Sequence, residues 1–280
     1  MEEIENFTLT AKDGTSLYGR EWLVENPTAA LCLVHGLGEH IGRYEHVAQF
    51  FNENGISFFA FDLRGHGHSE GKKGHTPSHD MFLDDVEELL MYARAEYNDI
   101  PLILYGHSLG GNIVSNYILK KNVNELAGAI ISSPWLSLAQ KPPSWQINLA
   151  RMVSGFLPSL TQSNQLDINQ LTHDDQVNLA YKKDPLVHDK ISTKLFTECY
   201  REGLWALENA HKNKIPLLIY HGSDDAITSA EGSKTFAENA GENVTYTRWE
   251  KSKHEPHNDV EKHEVLEKNI DWISNLITSI

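Results

Sequence analysis

Gly106-His107-Ser108-Leu109-Gly110 reads G-x-S-x-G. It follows an apolar run at 102–105 and precedes 112–120, where Ile113, Val114, Tyr117 and Ile118 recur at helical spacing. In that context the serine sits on a sharp strand-to-helix turn in a strained backbone, with its hydroxyl exposed over a helix N-terminus that favours an anion. The glycines two residues either side let strand and helix approach closely. The chemistry is nucleophilic attack on an acyl carbon, which needs a base and an acid to orient the base.

On a strand–turn–helix serine the chain order is Ser, then Asp or Glu, then His. The acid falls in His221-Gly222-Ser223-Asp224-Asp225, just past an apolar run at 215–220. Asp225 is the first choice, and Asp224 is the alternative, as a turn or cap residue. The base is His254, after the run Val244–Trp249 and before the last helical stretch, with His257 as its rival. His263 is expected on the exposed face of the final helix. An oxyanion hole needs backbone N–H groups rather than particular side chains. One comes from Leu109. The other is expected from Leu37, which glycines flank in His35-Gly36-Leu37-Gly38.

The elements that must hold these groups are legible as a pattern. Ala29–Val34, Ile56–Phe61, 101–105, 127–132 and 215–220 are short apolar runs bounded by Gly, Pro, Asn or Asp, as buried parallel strands are. Helix-period stretches separate them, including 81–97 and 260–280. The expected fold is α/β, a doubly wound, mostly parallel sheet. Residues 7–24 alternate like an antiparallel meander turned at Asp13-Gly14. Residues 134–207 show no clear strand and are read as a helical cap inserted in a core made of 1–133 and 208–280. Within it Trp145, Leu149, Met152, Val153, Phe156 and Leu157 form a helix-spaced stripe, assigned partly to core packing and partly to an acyl-site lining.

Composition narrows the partners. The 280 residues carry 24 Lys plus Arg against 39 Asp plus Glu, a formal net charge of −15 that opposes nucleic acid and anionic lipid as main partners. Hydrophobic residues at 40% and charged residues at 22% are ordinary globular usage, which excludes a disordered chain. Two distant cysteines, Cys32 and Cys199, fit a reducing compartment rather than a disulfide framework. No stretch approaches the roughly 18 apolar residues of a membrane span. The acidic start Met1-Glu2-Glu3 lacks the pattern of a secretory signal. A soluble, cytoplasmic protein is expected. His66, His68 and the pair His254/His257 lack a companion set at zinc spacing, so neither metal nor cofactor is expected.

Taken together, several motifs resemble the α/β-hydrolase superfamily, and within it the monoacylglycerol lipase and lysophospholipase group (serine aminopeptidase S33-like). They are His35-Gly36-Leu37-Gly38-Glu39-His40 with Arg43-Tyr44, Asp62-Leu63-Arg64-Gly65-His66-Gly67-His68-Ser69-Glu70-Gly71, Gly106-His107-Ser108-Leu109-Gly110-Gly111, Gly222-Ser223-Asp224-Asp225 and His254. The resemblance implies a triad of Ser108, Asp225 and His254, oxyanion N–H groups at Leu37 and Leu109, and a cap whose apolar side receives an acyl chain. It also implies Arg43, His107 and Tyr181 near the glycerol end of a monoacylglycerol. Where the family carries a cap carboxylate one turn before that tyrosine, this chain has Val177, with Asp175 two residues earlier. The implied activity is release of a fatty acid through an acyl-enzyme on Ser108. Apart from the resemblance, apolar surface at the cap edge fits weak peripheral lipid contact, without electrostatic help from the net charge. A lysophospholipase, a general carboxylesterase and a peptidase use the same triad, and a non-catalytic ligand-binding protein can share the fold.

Overall fold

The apolar runs become the inner strands of one eight-stranded sheet. The computed structural model describes residues 3–278. β1 (Glu3–Thr10) and β2 (Ser16–Leu23) form an antiparallel hairpin across Asp13-Gly14. β3 (Ala29–Val34), α1 (Glu45–Glu53), β4 (Ile56–Phe61) and α2 (His79–Glu96) follow. Next come β5 (Leu102–His107), α3 (Leu109–Lys120) and β6 (Leu126–Ser132). Past β6 lie α4 (Ser144–Phe156), β7 (Thr161–Ser163), α5 (Asp175–Lys183), β8 (Lys190–Ser192) and α6 (Thr193–Asn209). β9 (Leu217–Gly222), α7 (Ala230–Asn239), β10 (Val244–Trp249) and α8 (Lys262–Thr278) complete the described chain. Residues 279 and 280, the end of the expected last helix, lie outside it, as do Met1 and Glu2 of the acidic start.

The strand order is β1-β2-β4-β3-β5-β6-β9-β10, parallel from β4 to β10 and antiparallel at β1–β2 and β2–β4. This is the doubly wound α/β sheet that the alternation of runs predicts. β3, β4, β5 and β9 are buried along their whole length, which is why they read as unbroken apolar runs. α2, α3, α6 and α7 cover one face through Phe82, Val86, Ile113, Leu195 and Phe236. α1 and α8 cover the other through Val47, Phe51, Val265 and Ile273. Each such side chain contributes about 1.5–3 kcal/mol by leaving water. Pro101 and Pro216 lend carbonyls to Ala30 and Ala129 but have no N–H to give, so β5 and β9 start one residue after each proline.

The segment between β6 and β9 differs from the sequence reading in two ways. β7 and β8 pair as a short antiparallel ribbon where no strand was expected. Three residues each, mostly polar, leave no alternation to detect. The α4 stripe is not core packing either. No residue of α4 is buried, and Trp145 and Phe156 are 64% and 82% exposed. A periodic apolar face marks a helix, but it does not say what covers that face. α6, by contrast, packs against the sheet layer through Leu195, Cys199 and Ala206.

Candidate active site

β5 ends at His107, α3 begins at Leu109, and Ser108 is the whole of the turn between them. Its backbone has φ 54° and ψ −112°, a conformation that costs a non-glycine residue about 1–3 kcal/mol. Three hydrogen bonds hold it there. Its N–H donates to the Ser132 carbonyl at 3.0 Å, and its carbonyl accepts from Asn112 at 3.0 Å and Trp135 at 2.9 Å. The turn also needs Gly110, where a Cβ would lie 1.9 Å from the Val34 carbonyl oxygen.

His254 Nε2 stands 2.9 Å from Ser108 Oγ, and His254 Nδ1 stands 2.7 Å from Asp225 Oδ2. A carboxylate only accepts, so Nδ1 carries the proton and Nε2 is left to accept from the serine hydroxyl. Asp225 is fixed by more than this bond. Oδ1 accepts from the N–H of Ile227 at 2.7 Å and of Thr228 at 3.0 Å. Oδ2 also accepts from Thr228 Oγ1 and from His221 Nε2, each at 2.8 Å. His221 is completely buried, and its Nδ1 faces Ser233 Oγ at 2.7 Å, which fixes the tautomer that donates to Asp225. His221 belongs to the loop motif, but residue type alone does not show that it shares the acid. Its place four residues before Asp225, at the end of β9, is the signal that was available.

Burial opposes ionisation of Asp225, but the His254 charge and the hydrogen bonds from both histidines outweigh it and hold the carboxyl well below the usual 3.8. Burial likewise opposes protonation of His254, and the Asp225 carboxylate outweighs it and raises the imidazole above the usual 6.5.

The alternatives stand elsewhere. Asp224 is exposed and accepts from its neighbour Ser223. His257 is buried edge-on against His107 and stacked on Tyr44, and burial first of all pushes it down to about 3. His263 is exposed on α8 beside Glu267. Among the described residues no group of three or more His, Cys, Asp or Glu could hold a metal ion. Cys32 and Cys199 are free and buried.

Ser108 and His254 open onto a cavity of about 410 Å³, within the usual range for a small-molecule site. Arg43, His107 and Tyr181 line it, as does Leu37. Gly36 passes so close over the serine that a Cβ there would lie 3.2 Å from Ser108 Cβ, which brings the Leu37 peptide to the turn. Leu109 opens α3, so its N–H is among the helix-start donors without a carbonyl one turn back. Trp135, Leu138, Ile191 and Phe196 give the cavity apolar wall, while Gln146, Gln162 and Gln165 add amides from the segment after β6. Gln146 is the residue α4 contributes to this lining, and the apolar stripe of α4 is not part of it.

The Arg43 guanidinium lies under the Tyr181 ring, 4.7 Å from its centroid. It is gripped by two buried carboxylates, Glu39 and Glu255. Sequence reasoning gave neither acid a role. One turn before Tyr181, where the resemblance implies a cap carboxylate, the chain has Val177, and the buried carboxylates at Arg43 are Glu39 and Glu255.

A family model described as serine aminopeptidase, S33 matches residues 25–261. A "Monoacylglycerol lipase" of Mycolicibacterium smegmatis is 31% identical over 250 residues, covering 89% of this chain and 89% of that protein. An "Uncharacterized abhydrolase domain-containing protein" of Dictyostelium discoideum is 37% identical over 277 residues, covering 98% of this chain, and the chain spans 29% of that protein's length. The crystal structure of Paleococcus ferrophilus monoacylglycerol lipase superposes with a TM-score of 0.81 at 31% identity and 99% coverage of both chains.

Proposed function

The chain belongs to the serine aminopeptidase S33 family of α/β-hydrolases, and on that premise we propose that it is a serine ester hydrolase that releases the fatty acid of a monoacylglycerol. The continuous hydrogen-bonded line from Asp225 through His254 to Ser108, ending in a lined cavity, carries the reading. His254 takes the Ser108 proton as the oxygen attacks the ester carbonyl. The Leu37 and Leu109 N–H groups hold the tetrahedral oxyanion. The alcohol leaves with the proton from His254, and water activated by the same imidazole then frees the acid from the acyl-enzyme. Asp225 keeps the tautomer and balances the imidazolium. None of these steps calls for a metal or cofactor.

Arg43, His107 and Tyr181 form the alcohol end of the cavity in this reading. Residues 134–207 act as a cap on a core of 1–133 and 208–280, with α6 as the helix that anchors it. The exposed Trp145, Leu149, Met152 and Phe156 of α4 favour weak peripheral contact with lipid, and no helix among the described residues is long and apolar enough to cross a membrane. We place the protein in the cytoplasm. A peptidase reading has less support. Of the described residues lining the cavity, the acids are Glu39 and Glu255, and both are spent on Arg43 rather than open to a substrate ammonium.

The test is fatty-acid release from a long-chain monoacylglycerol with the matching lysophosphatidylcholine alongside. Release chiefly from the monoacylglycerol is expected. Release chiefly from the lysophospholipid moves the substrate assignment, and release from neither removes the lipid ester.

The acid limb of the pH profile follows from the imidazole. His254 must be neutral to accept the serine proton, and its protonated form is favoured in the fold. Activity is therefore lost as pH falls through a value above 6.5, while Asp225 stays ionised across that range. A kcat/KM profile, which reports the free enzyme, should show a single acid limb with its midpoint above 6.5. A midpoint well below that value would mean another group is the base.

A further inference from the structure

Arg43 is the arginine or lysine among the described residues that line the cavity around Ser108. Its charge is spent. Nη1 and Nη2 donate to the two oxygens of Glu255 at 2.8 and 2.7 Å, a bidentate pair, and Nη1 also donates to Glu39. All three side chains are within a tenth of full burial. Tyr181 covers the guanidinium face. Glu255 cannot swing away. Its N–H is tied to the Leu171 carbonyl at 2.9 Å, and its Oε2 also accepts from Asn258 Nδ2 at 2.8 Å. Glu39 is tied to the loop over the serine, accepting from the Gly36 N–H and the Tyr44 hydroxyl. Two carboxylates thus face one guanidinium in a site with little water to screen them.

We propose that Glu255 determines leaving-group specificity: by closing a bidentate ion pair on Arg43 it cancels the cation beside Ser108, so the site accepts an uncharged polyol and rejects an alcohol that carries phosphate. The inference rests on the ester-hydrolase reading above and narrows its substrate class. Buried arginine is well suited to phosphate, because its planar fork matches two phosphate oxygens. Here that fork is occupied by a carboxylate of the same geometry. A phosphate brought to it would displace Glu255 and leave a buried carboxylate unpaired, or would sit among like charges. A glycerol hydroxyl faces neither penalty. It can accept from the guanidinium N–H groups not engaged by the acids, and it can donate to the acids' free lone pairs.

The experiment compares kcat/KM for a long-chain 1-monoacylglycerol with that for the matching 1-acylglycerol 3-phosphate, in the wild-type protein and in Glu255→Gln. Glutamine keeps the size and one hydrogen bond to Arg43 while removing a negative charge. The wild type should prefer the uncharged ester, and the variant should shift the ratio toward the phosphate ester by at least about tenfold. A purely structural role would lower both substrates together and leave the ratio unmoved, which would overturn the proposal. A second measurement needs no variant. Glycerol 3-phosphate should inhibit the wild type less than glycerol does, and equal or stronger inhibition would also overturn it. Wild-type protein that cleaves neither lipid removes the ester-hydrolase reading and this inference with it. Wild-type protein that cleaves the monoacylglycerol, with an unmoved ratio in Glu255→Gln, removes this inference alone.

Discussion

Ser108→Ala lowers kcat for every ester the protein cleaves by about 10⁶-fold, measured by fatty-acid or alcohol release from highly purified protein. The size follows from what the serine does. Without its oxygen there is no acyl-enzyme, and attack falls to water held in a site shaped for another nucleophile. His254 and the two peptide N–H groups remain, so a residue of catalysis over plain water survives. The substitution removes one buried oxygen and its bond to His254. It leaves the three backbone hydrogen bonds of the turn in place, so the fold should persist and the loss should fall on kcat. Turnover retained within about tenfold of wild type would mean that Ser108 is not the nucleophile.

Asp225→Asn costs about 10⁴-fold in kcat, while Asp224→Asn changes it little. An asparagine amide can turn its NH₂ toward His254 Nδ1. The imidazole then keeps its proton on Nε2, the wrong side for receiving one from Ser108. The same change takes the charge from between two imidazoles, since His221 and His254 share Asp225 Oδ2. The acid limb of the pH profile should therefore also move down, because the carboxylate that raises His254 is gone. Asp224 is exposed, no hydrogen bond ties it to either imidazole, and its side-chain partner is the Ser223 hydroxyl. Equal losses in the two variants, or a larger loss at Asp224, would reassign the acid.

Much of this geometry was legible in the chain because it is one-dimensional. Ala29–Val34 and Ile56–Phe61 are buried on both faces, so their apolar runs mark the strands end to end. Ser108 sits where such a run changes to helical spacing, Asp225 sits just past another, and His254 follows the partly exposed edge strand β10. What the sequence left unread depends on which groups meet in space. Glu39, Arg43 and Glu255 form one cluster although Glu255 is 212 residues from Arg43. His221 became a partner of Asp225 only when the end of β9 turned. The α4 stripe shows the converse limit, since its periodicity gave the helix but its apolar face looks outward. Local pattern reports burial for a strand closed in by neighbours on both sides. It does not report it for a helix with a single neighbour.

Labelling with a serine-directed fluorophosphonate, followed by peptide mapping of the adduct, tests the central claim most directly. Folded protein should take one adduct per chain, on Ser108, and a long-chain monoacylglycerol present beforehand should slow it. No adduct, or an adduct on another residue with Ser108 unmodified, would contradict a nucleophile activated by His254 and Asp225.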